Sequence, residues 1–358
     1  MRVLWLAPWH RSLANIYGRG LTTEGHEVQI ITTRKHPEPA PSLVEELVCP
    51  KRPYDPRWAV SFVEAERIYR RFQPHVVIAD EVTDPVFALL VQRMRPEWLV
   101  IHDALPHDQT HEFHGLRKAI QAAGRRRPSH ILTFSEHVAR EVKSAEWNRH
   151  SAEVHQVKLL SDLHDEDVPR FRTRNERRDF VLMGRVAPYK NGDHVLRAWD
   201  AHVNGSHYRG DRLIVWGARQ WQLPESTAVN AQGNSTVEWR PEVYRYSDIR
   251  DGQFSGFKGS LCVYSEASQS AVQILSAQLG VVPIVSNVGG LPEYQAPTLP
   301  VLDPTDQEGL VEVLNRVADP DTATELGQIA RDSYLSLNSQ GVVTKELASL
   351  LGHSILPR

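Results

Sequence analysis

Short apolar runs alternate with helical patterns along almost the whole chain, and this alternation limits the possible fold more than any other feature. In the first half the runs are RVLWLA, EVQIIT, HVVIAD, WLVIHD, HILTFS and VHQVKLL. Several are continuously apolar, as expected of strands that are covered on both faces. Between them a clear amphipathic helix is predicted by an apolar period of four and three, at Trp58, Phe62, Ala65, Tyr69 and Phe72. Strand and helix in alternation predict a doubly wound parallel sheet.

A charged segment interrupts this pattern at residues 162–179, where 11 of 18 side chains are charged and no apolar period is visible. Such a segment is typical of a solvated connection between domains. The alternation then resumes with the strand patterns FVLMGRV, RLIVWG, STVEW, GSLCVYS, VVPIVS and LPVL, and with helices from about Asp193 and Gln269. Three helical patterns follow, at about 306–318, 321–335 and 339–351.

The predicted fold class is therefore α/β, with two doubly wound, Rossmann-like domains and C-terminal helices that close the second. The first domain covers residues 1–168 and the second covers residues 176–335. The last segment, residues 336–358, is predicted as a helix that either completes the second domain or returns to the first. Ligands of such sheets bind beyond the carboxyl ends of the strands, and a cleft between two domains is a natural active site. Residues that follow strands are the first candidates.

The net charge, the N-terminal residues and the cysteines limit which partners and which cellular location are expected. The 358 residues carry 44 acidic and 41 basic side chains, so no overall field steers the protein to nucleic acid. The opening residues MRVLWLAPWH hold too short an apolar run for a signal peptide, and no window reaches the ~20 apolar residues of a membrane span. Cys49 and Cys262 are interpreted as two reduced thiols. We expect a cytoplasmic protein.

Two cations share one predicted strand-to-helix loop in LMGRVAPYKNGDHVLRAW. Arg185 follows Gly184 at the end of a strand, and Lys190 comes five residues later, before a helix whose expected cap is Asp193. A guanidinium supplies a planar fork and an ammonium supplies a point charge, so this pair suits a diphosphate. The alternative is a surface loop with two solvated basic residues.

A polar loop and a glycine pair follow the next strands, in CVYSEASQSAVQILSAQLGVVPIVSNVGGLPEY. The loop at residues 265–270 opens a helix, whose amino end would present amides and a positive dipole to an anion. Its serine, glutamate and glutamine side chains can form hydrogen bonds with hydroxyl-rich ligands. Gly289 and Gly290 would let the backbone approach a ligand closely, although such turns are common after strands.

Taken in order, these pieces resemble the signature of glycosyltransferase family 4 on the two-domain GT-B fold. The similar pieces are Gly-Arg with a lysine five residues later, the Ser-Glu loop before a helix, Ala-x-x-Gly-x-x-Pro-Ile-Val-Ser and Gly-Gly-Leu-Pro-Glu. In the first half, GHEVQIIT, WLVIHD and FSEHVAREV fit the family less strongly. The resemblance implies a retaining, metal-independent, hexosyl-type enzyme without a cofactor. Its partners would be a nucleotide diphosphate sugar donor and a hydroxylated acceptor such as a glycan, a glycolipid or a natural product.

The resemblance also implies roles for matching positions. Arg185 and Lys190 would hold the donor diphosphate. Glu266 would face the donor sugar, and His102 would lie near that sugar as a catalytic group. Asp103 and His107 are assigned to the acceptor side. The remaining donor-binding positions are Gly184, Ser265, Ser268, Gln269, Ser270, Gln273, Gly289 and Gly290.

Two positions depart from the family pattern. In the family a second glutamate, separated from the first by seven residues, holds the nucleotide ribose, and here this position falls on Leu275 or Ile274, depending on the direction of counting. Neither side chain accepts a hydrogen bond, and Gln273 is the nearest polar substitute. Ribose recognition would thus be weak, supplied elsewhere or lost. The glycine pair usual after the first strand is replaced by APWHRSLAN.

A histidine-rich segment, HDALPHDQTHEFH, follows the WLVIHD strand. His107 and His111 have the spacing of a zinc-protease helix, but Asp108 stands where that chemistry requires a glutamate. We therefore favour a polar acceptor-side segment over a catalytic metal site, and no metal ligands are assigned. A solvated surface is the third interpretation.

Two further groups have both a structural and a functional interpretation. The arginines at residues 125–127 are either solvated charges at a helix end or a contact with anionic lipid on the cytoplasmic membrane face. Asp80, Glu81 and Asp84 follow HVVIAD and either face the cleft or serve as helix caps. Two other functions stay open: a non-catalytic GT-B partner or regulator of a transferase, and another GT-B enzyme such as a nucleotide-sugar epimerase or a phosphorylase.

Overall fold

The chain divides into two units, each built around one parallel sheet. The computed structural model describes residues 1–34, 44–52, 54–104, 115–145, 152–218, 228–230 and 232–355. Unit 1 comprises Met1–Asp162 and Gln340–Arg358, and unit 2 comprises Leu163–Ser339. Every strand pair in both sheets is parallel. The predicted α/β class with two doubly wound sheets is confirmed.

The sheet of unit 1 has the strand order β3-β2-β1-β4-β5-β6-β7. Its strands are β1 (Arg2–Ala7), β2 (Glu27–Thr33), β3 (Glu45–Cys49), β4 (Val76–Asp80), β5 (Trp98–Ile101), β6 (His130–Thr133) and β7 (Glu153–Gln156). Helices of this unit are α1 (Arg11–Thr23), α2 (Trp58–Phe72), α3 (Pro85–Met94), α4 (Leu116–Arg125) and α5 (Glu136–Ser144). Strand β3 was not predicted, because this short edge strand, EELVC, is half polar. The strand order reverses between β1 and β4.

The sheet of unit 2 has the order β10-β9-β8-β11-β12. Its strands are β8 (Arg178–Met183), β9 (Leu213–Trp216), β10 (Val237–Arg240), β11 (Phe257–Cys262) and β12 (Val282–Val285). Its helices are α6 (Gly192–Val203), α7 (Tyr246–Arg250), α8 (Ala271–Leu279), α9 (Gln307–Val317) and α10 (Pro320–Leu337). The strand predicted at LPVL is wrong: Leu302 forms only an isolated bridge with Ser286, and Pro300 lacks an amide to donate.

The charged segment at residues 162–179 is more ordered than the predicted solvated connection. His164 is buried, and Arg170 and Arg172 both form ion pairs with Glu176 in a short turn. Thr173 caps that turn, with Glu176 accepting a hydrogen bond from its amide at 3.1 Å. Three of the charges that suggested exposure are therefore paired with one another.

The C-terminal helix α11 (Gln340–Ile355) packs on α1 of unit 1. Gln340 Nε2 donates to the carbonyl of Ile16 at 2.8 Å. Gly20 permits the close crossing, because a Cβ at this position would overlap the side chain of Thr344. The chain thus returns to its first unit after completing the second.

Two expectations from the sequence concern membrane-spanning helices and the state of the two cysteines. None of the described helices combines the length and the apolar character that crossing a bilayer requires. Cys49 in unit 1 and Cys262 in unit 2 are free and buried. Burial raises the pKa of the Cys49 thiol to about 12, and it raises that of Cys262 as well, so both thiols stay protonated.

Candidate functional site

The carboxyl ends of β8 and β11 meet where the strand order of unit 2 reverses. The chain leaves β8 toward β9 and later returns through β11 on the other side of β8. Open α/β sheets bind ligands at this topological switch point. Gly184 and Arg185 directly follow β8, and Tyr264 and Ser265 follow β11. The sequence-predicted donor residues are therefore grouped around one crevice.

Lys190 lies in this crevice and is only 5% exposed. Its Nζ donates to Tyr264 Oη at 2.6 Å and to the Met183 carbonyl at 3.2 Å, and it lies 4.1 Å from the centroid of the Tyr264 ring. Burial lowers the pKa of Lys190 to about 8, and the positive charge of Arg185 adds to the effect. An incoming anion would raise this pKa again. The alternative of two solvated loop cations is wrong for Lys190, whereas Arg185 is exposed.

The turn that carries Lys190 differs from the predicted loop. Pro188–Lys190 form one 3-10 turn, and α6 begins at Gly192 with Asn191 at the cap. Asn191 has the left-handed φ of 56° and donates its side-chain amide to the Pro304 carbonyl at 2.8 Å. The predicted cap Asp193 therefore lies inside the first helical turn, because the chain has already turned at Asn191.

Gly184 is positioned by a second glycine that sequence analysis missed. Its amide donates to the Trp216 carbonyl at 2.9 Å, and its φ of +100° is one that L side chains rarely adopt. Gly217, the residue after β9, has a φ of +149°, and a Cβ there would overlap the carbonyl oxygen of Gly184. The signal in the sequence was the glycine that ends RLIVWG, at the same place as the glycine of FVLMGRV.

Hydrogen bonds join the loops that follow β8, β11 and β12. The amide of Ser265 donates to the Tyr189 carbonyl at 2.9 Å, and the amide of Gly290 donates to the Ser268 carbonyl at 3.0 Å. Ser286 Oγ donates to the Tyr264 carbonyl at 2.6 Å. Three motifs that are far apart in sequence therefore form one loop cluster. Its exposed members include Arg185, Ser265 and Glu266.

Helix α8 begins at Ala271 rather than at the predicted Gln269, because Ser270 takes the cap position. Ser270 Oγ accepts a hydrogen bond from the amide of Gln273 at 3.3 Å. The same oxygen lies 3.3 Å from Tyr264 Oη, which accepts from Lys190. The ammonium group and the positive end of α8 are thus linked through the buried hydroxyls of Tyr264 and Ser270, and both favour an anion.

The backbone of Gly289 and Gly290 packs directly against the backbone of the loop before α8. Gly289 has a φ of +54°, and a Cβ there would overlap the carbonyl oxygen of Ala267 and lie 2.6 Å from its carbon. No other residue type fits without a shift of one of the two loops. The glycine pair holds the β12 loop against the loop before α8, where the Ser268 carbonyl accepts from Gly290.

No carboxylate of α8 is available for a ribose. Leu275 and Ile274 are 4% and 2% exposed, so both belong to the core of unit 2. Gln273 is fully buried and donates Nε2 to the Leu291 carbonyl at 2.9 Å. Its Oε1 has no hydrogen-bond partner among the described residues. The Nε2 atom of Gln273 thus supports the β12 loop, and its Oε1 atom can still accept a hydrogen bond.

In unit 1, His102 follows β5 and is half-buried. Its ring stacks on His10 with the centroids 3.7 Å apart, and it lies 5.0 Å from the ring of Phe134. Burial lowers the pKa of His102 well below its ordinary value, and the nearby His10 adds to this while Asp103 opposes it. A neutral imidazole exchanges hydrogen bonds with hydroxyl groups without carrying charge. His107 and the rest of the segment 105–114 lie outside the described residues.

The acidic residues at the end of β4 and directly after it have separate structural roles. Asp80 is buried, accepts from Trp5 Nε1 at 2.9 Å and has a pKa raised to about 7, mainly by burial. Asp84 caps α3 by accepting from the amides of Val86 and Phe87. The structural interpretation of Asp84 as a cap is therefore confirmed.

Arg125 was interpreted as a solvated helix end or a lipid contact, and the structure corrects both interpretations for this residue. Its side chain forms an ion pair with Glu81. It also donates to the carbonyls of Ala104 at 3.3 Å and Asp103 at 3.4 Å. Arg125 thereby fixes the segment that follows His102. Residues 126 and 127 are exposed.

A cavity of about 350 Å³ in unit 1 was not predicted. It is lined by Arg34 after β2 and by Lys51, Arg52 and Arg57 after β3, with Asp55 as its acidic member. Arg57 binds Asp55 at 2.6 Å and is the first cause that lowers the pKa of that carboxyl to about 2. The remaining positive charge suits an anionic group. The unrecognised strand β3 concealed this grouping in the sequence.

Known proteins resemble the chain in both sequence and fold. Residues 16–178 match the family model described as Glycosyltransferase Family 4. Sucrose-phosphate synthase from Thermosynechococcus elongatus is similar in structure, with a TM-score of 0.69, 14% identity and 99% of each chain covered. The structure of Anabaena Alr3699/HepE in complex with UDP and glucose is similar with a TM-score of 0.66 and 12% identity. The match covers 99% of this chain and 100% of that chain. A putative UDP-N-acetylglucosamine 2-epimerase from Listeria monocytogenes is similar with a TM-score of 0.57 and 11% identity. The match covers 99% of this chain and 96% of that chain. No curated protein sequence matches significantly.

The two parallel α/β units and the full-length likeness to these structures define the class: the chain has the GT-B fold. Within that class, residues 16–178 match the model of glycosyltransferase family 4. The predicted fold class is therefore confirmed, and the match agrees with the family resemblance that the motifs predicted.

Proposed function

We propose that this protein is a retaining glycosyltransferase that moves a hexosyl group from a nucleotide diphosphate sugar to a hydroxylated acceptor. The observation that carries this proposal is the buried arrangement of Lys190, Tyr264 and Ser270 at the switch point of unit 2. It supports a site for the diphosphate, since the ammonium and the amino end of α8 both favour an anion.

The proposed chemistry depends on charge development at the leaving group. As the glycosidic bond breaks, negative charge accumulates on the diphosphate, and preorganised cations stabilise that charge. Lys190 is held in place by two hydrogen bonds, and the exposed Arg185 would add a planar fork. These two cations would perform the task that a metal ion performs in other phosphate-transfer sites, so we propose metal-independent catalysis.

Glu266 and His102 are proposed to act on the donor sugar. Glu266 is exposed in the loop cluster and can accept hydrogen bonds from sugar hydroxyls. The resemblance assigns His102 to the same sugar, and its neutral imidazole would offer one donor or acceptor. Asp103 and His107 are proposed to lie on the acceptor side. The ribose would be recognised by groups other than Leu275 and Ile274.

A panel of nucleoside diphosphates with uracil, guanine, adenine, cytosine or thymine bases tests the proposal. At one hundred times the Kd, a bound nucleotide stabilises the folded state by about 2.7 kcal/mol, which corresponds to a rise in Tm of roughly 5–10 °C. We expect such a rise with at least one diphosphate and a much smaller one with the matching nucleoside. No rise with any of the five would contradict the donor site.

Replacement of His102 by alanine is expected to lower the rate of donor consumption by at least about tenfold, while the donor Kd changes by less than about twofold. The reason is that His102 is proposed to act in the transition state rather than in ground-state binding. Donor consumption and donor Kd are measured in parallel. His137→Ala on α5 is the matched control, and wild-type turnover in the His102 variant would refute the assigned role.

One other function has specific support. The likeness to the putative epimerase favours a nucleotide-sugar enzyme that needs no acceptor. Product analysis separates the two functions: an epimerase returns an altered nucleotide sugar and releases no free nucleoside diphosphate, whereas a transferase releases it in step with acceptor glycosylation.

A further inference from the structure

His130, Glu153 and His155 form a cluster at the amino ends of β6 and β7, opposite the strand ends that carry His102 and Asp80. The parallel register pairs His130 with Glu153 and Leu132 with His155. Because side chains alternate between the faces of a sheet, all three members of the cluster project from one face. His130 Nδ1 lies 3.1 Å from His155 Nε2 and 3.7 Å from Glu153 Oε2, and His155 Nε2 lies 3.9 Å from Glu153 Oε1.

These separations fit a single metal ion. A tetrahedral Zn²⁺ with bonds of about 2.0–2.2 Å to imidazole nitrogen and carboxylate oxygen holds its ligand atoms roughly 3.3–3.5 Å apart. One candidate ligand atom from each residue lies within 4.8 Å of the other two, so small rotations complete the geometry.

The surroundings of the cluster restrict its side chains. The ring of Trp98 stacks on His130 at 4.6 Å and lies 4.8 Å from the ring of His155. The side chains of His130 and His155 are 14% and 15% exposed, whereas that of Glu153 is 53% exposed. Two ligands are therefore held against a buried indole, and the Glu153 side stays open for an ion to enter.

We propose that His130, Glu153 and His155 bind one divalent transition-metal ion of the Zn²⁺ type. Two imidazoles and one carboxylate favour zinc over Mg²⁺, which prefers oxygen ligands. The ion would cross-link the edge strand β7 to β6. Since ligand sites of parallel sheets lie at the carboxyl ends, this amino-end site is proposed to stabilise unit 1 rather than to take part in sugar transfer.

Calorimetric titration of the chelator-treated full-length protein with ZnCl₂ tests the site, with MgCl₂ as the comparison ion. We expect one equivalent of Zn²⁺, a rise in Tm and no binding of Mg²⁺. Glu153→Gln is the first variant, because this exposed side chain can change without disturbing the core. We expect a loss of zinc affinity of more than about tenfold, since even the loss of a group that only orients a ligand costs that much. His155→Gln should abolish the binding.

Two control variants separate this site from other histidines. His137→Gln removes a half-buried histidine that lies 3.4 Å from Glu141 on α5, and zinc binding should be unchanged. The double replacement of His107 and His111 by alanine removes the protease-like spacing, and one equivalent should still bind. Co²⁺ absorption in the wild type should show a tetrahedral spectrum that disappears with His155→Gln. Absence of zinc binding, retention of full affinity in both Glu153→Gln and His155→Gln, or loss of binding in the His107 and His111 variant would overturn the proposal.

Discussion

Replacement of Gly289 by alanine should destabilise unit 2 by about 3 kcal/mol or more and remove nucleotide binding. Two effects add at this position. The left-handed φ of +54° is unfavourable for alanine by on the order of 1 kcal/mol. In addition, the alanine Cβ would overlap the carbonyl oxygen of Ala267. To relieve that overlap, the loop before α8 must move away from the β12 loop. Such a movement would break the hydrogen bond from Gly290 to Ser268 and displace the cap at Ser270.

Gly210 provides the matched control for this substitution. It has a φ of +83° in the same unit, but a Cβ there meets nothing within 4 Å. Gly210→Ala should therefore show the backbone cost of about 1 kcal/mol alone and keep its nucleotide affinity. Urea unfolding monitored by tryptophan fluorescence gives the stability of both variants, and calorimetry gives the nucleotide Kd. Equal stability losses in the two variants would mean that the contact between Gly289 and Ala267 is unimportant.

The fold was predictable because apolar periods and turn residues are local signals. The strand patterns and the period of Trp58, Phe62 and Ala65 needed no knowledge of distant residues, and the structure confirms them at nearly the predicted positions. The failures have local causes as well. The edge strand β3 carries two glutamates and therefore lacks the apolar run that marks a buried strand. LPVL has that run, but the proline removes an amide from the ladder.

The candidate site was predictable in its members but not in their environments. The order of motifs indicated Arg185, Lys190 and the glycine pair, and the structure brings their loops together. The burial of Lys190 depends on Tyr264, which is 74 positions away, and no spacing rule connects the two. Similarly, the overlap that makes Gly217 necessary is with the carbonyl of a distant strand end. Contacts of this kind depend on strand order, which the sequence signals only through the alternation of elements.

Arg185→Gln and Lys190→Met should each weaken the binding of the most stabilising nucleoside diphosphate by about tenfold to a hundredfold. This range corresponds to the loss of a hydrogen bond between charged groups, about 1.5–3 kcal/mol. Binding of the matching nucleoside should change by less than about twofold, because it lacks the diphosphate. Methionine is chosen at position 190 because it fills most of the space of the buried lysine side chain. Titration calorimetry with both ligands measures the two affinities.

The control for these variants is Arg209→Gln, which removes an exposed cation from the segment before β9, at the amino ends of the strands of unit 2. Its effect on diphosphate binding should be less than about twofold, because the positive charge lies away from the loop cluster. Equal losses of nucleoside and diphosphate affinity in the Lys190 or Arg185 variant would contradict the assignment of these two residues to the diphosphate.

The pH dependence of binding gives Lys190 a separate signature. With a pKa of about 8 in the free protein, Lys190 is mostly protonated at pH 7 and mostly neutral at pH 9. The diphosphate should bind the protonated form, so its affinity should fall roughly tenfold between pH 7 and 9. In Lys190→Met the affinity should be lower and nearly independent of pH. A wild-type affinity that does not change between pH 7 and 9 would show that the Lys190 ammonium does not bind the diphosphate.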